Sequence, residues 1–86
     1  MHFEATRRFQ KDYRKLPQEI KDLFKKKLDL LIREPTHPSL RHRLMAGTKN
    51  IFEFSVTMNY RVTYQRDQNI GYLRRIGTHD ILRRPE

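Results

Sequence analysis

The hydrophobic positions of this chain change their period near Pro35–Pro38. Before that point they recur as on a helix, and after it apolar and polar residues alternate as on a strand. Phe9, Tyr13 and Leu16 fall at i, i+4 and i+7, behind Thr6, a residue type that caps helix N-termini. Pro17 suits the first turn of a second helix, with Gln18, Glu19 and Asp22 near the positive end of its dipole. Ile20, Leu23, Phe24, Leu28, Leu31 and Ile32 make one apolar stripe, and Lys21, Lys25, Lys26 and Lys27 lie mostly off it. The second helix is predicted to stop by Glu34, because Pro35 disfavours helical geometry in the residue before it.

His2–Ala5 is short enough for an edge strand. Leu40–Met45 reads as a strand before a turn at Ala46-Gly47-Thr48. In Asn50–Thr57, Phe52, Phe54 and Val56 point one way and Glu53, Ser55 and Thr57 the other. Tyr60, Val62 and Tyr64 alternate likewise with Arg61, Thr63 and Gln65, and Arg66–Asn69 reads as a polar turn. In the last strand, Ile70–Ile76, Leu73 and Ile76 have opposite parity, which predicts a bulge or extra twist before Gly77. The pattern as a whole predicts an α+β fold. An N-terminal helical hairpin packs on a small, mainly antiparallel twisted sheet of three or four strands, in one domain spanning 1–86. The outer sheet face is predicted to be open and to carry Glu53, Ser55, Arg61 and Thr63, an ordinary arrangement for an antiparallel sheet.

Composition narrows the function. At 86 residues and 36% hydrophobic, the domain has a thin core, for which a stabilising partner is no surprise. There is no cysteine, hence no disulfide framework and no thiolate metal site. Four scattered histidines, of which His2 and His37 read as incidental, offer no metal-ligand spacing, so no metal or cofactor is expected. No apolar stretch is long enough for a membrane, and the opening MHFEATRRF has no signal-peptide core, so a cytoplasmic protein is expected.

The formal net charge of +9 points to a polyanionic partner. The cations are divided along the chain. Six of the seven lysines lie before residue 41, whereas eight of the twelve arginines lie from Arg41 onward. The lysines at 25–27 read as a solvated helix face. Arginine bonds two phosphate oxygens at once, so Arg41, Arg43, Arg74, Arg75, Arg83 and Arg84, with Lys49, are candidate phosphate contacts.

The order of elements, with F-x-F-x-V, Asn59-Tyr60-Arg61-Val62-Thr63-Tyr64 and Arg75-Ile76-Gly77-Thr78-His79, resembles the RelE/ParE superfamily of toxins from toxin–antitoxin pairs. Lys15-Leu16-Pro17 and Pro38-Ser39-Leu40-Arg41 fit as well, and the resemblance covers essentially the whole chain. It implies one of two activities. RelE-like members cut messenger RNA in the ribosomal decoding site, whereas ParE-like members block DNA gyrase and lack nuclease chemistry. Both kinds are neutralised by an antitoxin. The resemblance thus implies an antitoxin, the ribosome and messenger RNA as partners, with a ParE-like gyrase inhibitor or an inactive homologue as the alternative.

Metal-free RNA cleavage needs a base for the 2′-hydroxyl, cations for the scissile phosphate and an acid for the 5′-oxygen. The resemblance assigns phosphate stabilisation to Arg61, which matches the arginine of the RelE strand motif. It assigns proton transfer to His79, which matches the histidine of the G-T-H end of YafQ-like toxins. Histidine ordinarily titrates near neutral pH. His42 matches a further YafQ histidine and is the candidate for the second proton-transfer group. Glu53 is a candidate base by analogy with YoeB-like relatives. The chain also departs from these patterns. Glu53 and Ser55 stand where RelE carries two lysines, and Ser55 and Asn59 where YafQ carries a histidine and an aspartate. Arg83-Arg84-Pro85 replaces the C-terminal tyrosine of RelE. A small RNA-binding module is a further possibility, but Phe52, Phe54 and Val56 share the parity of the core and leave no aromatic row for stacking bases.

Overall fold

The structure, a computed structural model, describes residues 1–83. The chain opens with strand β1 (His2–Ala5), followed by helices α1 (Arg7–Arg14) and α2 (Gln18–Arg33) and a 3-10 turn at Pro38–Leu40. Strands β2 (Arg43–Leu44), β3 (Ile51–Ser55), β4 (Arg61–Asp67) and β5 (Ile70–Gly77) follow, and a short helix α3 (Asp80–Arg83) comes last.

The fold is α+β as predicted, with the order corrected at its start. A strand, not the helical hairpin, comes first, and the sheet has five strands in the order β1-β5-β4-β3-β2. β1 runs parallel to β5, so the sheet is mixed. The parallel partner is reached only after both helices and three strands have intervened, a pairing that local sequence does not announce.

Local chemistry accounts for the helices. The Thr6 side chain accepts from the Phe9 amide at 3.2 Å and donates to the Leu73 carbonyl at 2.7 Å, capping α1 and tying it to β5. α2 ends at Arg33, with Glu34 at φ −140 before Pro35, as the proline requires. Phe9, Ile20, Phe24 and Leu31 turn inward, the Phe9 and Phe24 rings lying 5.4 Å apart. Ile32, predicted to belong to the buried stripe, is 47% exposed, because Leu31 occupies the inward position at that turn.

The register pairs Phe54 with Val62 and Phe52 with Tyr64, uniting the predicted apolar face. Between Thr63 and Tyr64 the β4–β5 register shifts by one residue, leaving Arg74 as the extra residue of a bulge. That bulge reconciles Leu73 and Ile76, both of which are buried. The predicted polar turn is shorter than expected, since Arg66 and Asp67 still belong to β4 and Gln68 takes the positive φ of 56.

The outer face of the sheet is not open. Glu53, Ser55 and Thr63 are buried, at 2%, 6% and 1% exposure. Long arginine side chains lie across the short polar ones, and those of Arg61 and Arg75 are themselves only 11% and 14% exposed.

Candidate active site

β3 ends at Ser55, β4 begins at Arg61 and β5 ends at Gly77, and the register aligns these three residues in one row. One row further in, on the same face, stand Glu53, Thr63 and Arg75, with Arg43 opposite Glu53 on β2. The termini of three strands thus meet beside a cationic strip, and His79 follows two residues beyond Gly77.

Glu53 is the centre of this strip. Its Oε1 accepts from Arg43 Nε at 2.8 Å and from Arg61 Nη1 at 3.3 Å. The Glu53 side chain is 3% exposed, Arg61 11% and Arg43 69%. A carboxylate buried this deeply beneath two guanidiniums orients them. The Arg61 Nε is buried without a hydrogen-bond partner among the described residues. Arg41, His42, Arg43 and Arg61 line a cleft of about 340 Å³. Three guanidiniums around one small concavity focus positive potential there.

His42 borders that cleft, but its ring is engaged elsewhere. Nδ1 lies 3.3 Å from the Pro35 carbonyl and Nε2 lies 2.6 Å from the Tyr64 hydroxyl. A carbonyl only accepts, so Nδ1 carries the proton and Nε2 accepts from Tyr64. The imidazole stacks on Tyr64 and packs at a tilt against Phe52, on the sheet face opposite Glu53 and Arg61. Burial lowers the His42 pKa, the Pro35 hydrogen bond partly opposes this, and the charge of Arg66 lowers it further. Burial pushes Tyr64 up to about 12, with Arg66 pulling slightly the other way, so its hydroxyl remains a donor. The site therefore gathers Arg61, Glu53, Arg43 and Arg41, while the His42 ring points away from them.

His79 is exposed, in the link between β5 and α3, where the Thr78 carbonyl accepts from the Ile81 amide at 3.1 Å. Gly77 brings α3 close to the sheet: a Cβ there would lie 2.9 Å from Ile81 Cγ2. His79 consequently stands at the same end of the sheet as Arg61.

The other arginines separate. Arg75 grips Asp12 of α1, Nε to Oδ2 at 2.7 Å and Nη2 to Oδ1 at 3.3 Å. Asp12 Oδ2 also accepts from the Ile76 amide at 3.2 Å, on the stretch of β5 beyond the β1 pairing. The carboxylate thus closes the upper edge of the sheet. Arg74, in the bulge, has Nη1 buried without a hydrogen-bond partner among the described residues. Burial and the neighbouring Arg75 charge lower the Arg74 pKa. Lys49 is exposed in the turn before β3, Arg83 falls in α3, and Arg84 lies outside the described residues.

Sequence reasoning missed the roles of Asp12 and Tyr64. Asp12 is one of several charges on α1, and nothing local marks it as the partner of a residue 63 positions away. Tyr64 carries core parity, and the hydroxyl that sets it apart from Phe is its only sequence signal.

Residues 3–82 match the family model described as ParE toxin of type II toxin–antitoxin system, parDE. No curated protein matches the chain. Among solved structures, the E. coli DinJ–YafQ complex matches at 26% identity and a TM-score of 0.70, over 93% of this chain and 94% of that one. The RelB–RelE antitoxin–toxin complex of Methanococcus jannaschii matches at 17% identity and TM-score 0.74, covering 96% and 95%. The YoeB dimer of Staphylococcus aureus matches at 12% identity and TM-score 0.74, covering 92% and 97%. The last two likenesses are of fold alone.

Proposed function

The chain belongs to the ParE toxin family of type II toxin–antitoxin systems, and from that premise we propose that it is a toxin that cuts messenger RNA held on the ribosome. The observation that carries this reading is the Arg61 guanidinium. It is oriented by Glu53 through Nη1 and borders a cleft with Arg41 and Arg43. Donors held in place around an anion-sized cleft are what a developing phosphorane requires, because they need no reorganisation as charge builds.

In the proposed reaction the 2′-hydroxyl oxygen attacks the adjacent phosphorus, losing its proton to solvent water, and the bond to the 5′-oxygen breaks. Arg61 and Arg43 neutralise the charge on the non-bridging oxygens. Glu53 positions both of them. His79 delivers a proton to the departing 5′-oxygen, a role that suits an exposed imidazole at the rim. His42 holds Tyr64 and the β2 edge in place. The partner is an antitoxin, by analogy with the DinJ–YafQ and RelB–RelE complexes. The charge of +9 favours an antitoxin segment that is acidic where it covers the cleft.

One observation favours a second reading: the matching family model is that of ParE, whose members block gyrase in the resemblance drawn above. Tightly controlled expression in growing cells, with transcript 5′-ends mapped, separates the two. Growth arrest with new ends inside translated messages, lost in His79→Gln, supports the ribonuclease. Arrest with intact messages, unchanged by His79→Gln, supports the gyrase reading.

A further inference from the structure

Beside the Arg61 row lies a second cleft, of about 350 Å³, that the chemistry above does not use. Lys27, Ser39, Arg41, Ser55 and Thr57 line its polar side, and Met58 its apolar side. Three observations mark it as built rather than incidental. The Ser55 hydroxyl is buried without a hydrogen-bond partner among the described residues, in a residue only 6% exposed. Lys27 does not wave in solvent. Its ammonium donates to Ser39 Oγ at 3.0 Å, and that hydroxyl meets His37 Nδ1 at 2.9 Å. Arg41 adopts a left-handed backbone, φ 48, which is uncommon for a residue with a side chain.

The two clefts adjoin. Arg41 lines both, and Ser55 pairs directly with Arg61 across β3 and β4. A chain of anions seated at Arg61 would run on into the second cleft, where two cations and a free hydroxyl converge and where Met58, 80% exposed, offers an apolar wall to a base.

We propose that this second cleft binds a neighbouring phosphodiester of a single-stranded nucleic acid, with Lys27 and Arg41 supplying charge and Ser55 a hydroxyl. The identity of that strand as RNA rests on the ribonuclease reading; the phosphate subsite itself does not. Lys27, which the helix pattern assigns to a solvated face, thereby becomes part of the functional surface.

The test uses the full chain and a fluorescent ten-nucleotide oligodeoxyribonucleotide, which has no 2′-hydroxyl and is not cleaved. Binding is followed by anisotropy across a salt series. Each phosphate neutralised on a single strand contributes about 0.7 to the slope of log affinity against log salt. Lys27→Gln combined with Arg41→Asn is expected to reduce the slope by about 0.7 and the affinity roughly tenfold. Asn tolerates the left-handed position, so the fold is retained. Ser55→Ala gives a second readout. It removes a buried hydroxyl that has no partner, so thermal stability stays level or rises while affinity falls about threefold, within the range for a lost hydrogen bond. An unchanged slope in the double variant, or Ser55→Ala binding as tightly as the parent, would overturn the subsite. So would loss in the double variant of binding to a glutamate-rich peptide with no loss for the oligonucleotide, which would make the cleft a protein-docking surface. Slope and affinity changes as expected in a chain that cleaves no message would uphold the subsite and remove the nuclease reading alone.

Discussion

The Tyr64 hydroxyl donates to His42 Nε2 at 2.6 Å, across the sheet from Glu53 and Arg61. The pair ties the chain after the 3-10 turn to the middle of β4, and in this direction, with Tyr64 donating, it requires a neutral imidazole.

A pH dependence of stability follows. Burial depresses the His42 pKa in the folded state below its ordinary value of 6.5. The unfolded chain therefore takes up a proton before the folded one does, and stability falls as pH drops below about 6.5. The contribution is complete above that pH and is lost on descending through the folded value. Thermal unfolding of the parent and His42→Gln between pH 8 and pH 5 should show the gap between them narrowing on acidification. A constant gap would contradict the assigned neutral tautomer. Tyr64→Phe, which strands His42 Nε2, should cost about 1–3 kcal/mol at pH 8.

Glu53 and Arg61 give a prediction that separates folding from chemistry. Glu53→Ala leaves the Arg61 guanidinium buried and unpaired, and should cost about 3–5 kcal/mol in urea unfolding. Arg61→Lys keeps the charge but loses the planar fork. It should remain folded by circular dichroism and lose roughly a hundredfold in cleavage rate, the scale for one misplaced transition-state donor.

Asp12 carries a structural load that its place on α1 conceals. Asp12→Asn weakens the Arg75 pair and the bond from the Ile76 amide together. A loss of about 1.5–3 kcal/mol is expected by equilibrium unfolding, together with faster hydrogen exchange at the Ile76 amide. Exchange at Ile76 equal to the parent's would show that the β5 edge is held by something else.

Gly77 couples the sheet to the rim histidine. In Gly77→Ala the new methyl would lie 2.9 Å from Ile81 Cγ2, so the Ile81 side chain has to give way. Overpacking of this kind costs about 1–3 kcal/mol. Cleavage should fall with it, because His79 lies in the link between Gly77 and the helix that carries Ile81. Retained activity with lowered stability would separate His79 from the chemistry.

Much of the fold was legible because it is written in local chemistry. Thr6 and Pro35 bound their helices by capping and by sterics, and the parity of Phe52, Phe54, Val62 and Tyr64 fixed the buried face. Even the conflict between Leu73 and Ile76 announced the bulge at Arg74. What stayed hidden depends on distant partners. The parallel pairing of β1 with β5 joins residues nearly seventy positions apart. The burial of Glu53, Ser55 and Thr63 follows from where arginine side chains come to rest, which alternation does not encode. At the candidate site, Arg61 was readable from strand parity and the family motif. The His42 ring was not, since its direction depends on a tyrosine 22 residues on.

The most direct measurement of the central claim is the chemistry of the cut ends. Ribosomes programmed with a defined message would be incubated with the purified chain, with Arg61→Lys and His79→Gln in parallel, and the fragment termini identified by mass spectrometry. Attack by the 2′-hydroxyl, with protonation of the leaving oxygen, predicts a 2′,3′-cyclic phosphate on one fragment and a 5′-hydroxyl on the other, formed far more slowly by both variants. Fragments ending in 5′-phosphate, cleavage that both variants perform at the parent rate, or an intact message would contradict it.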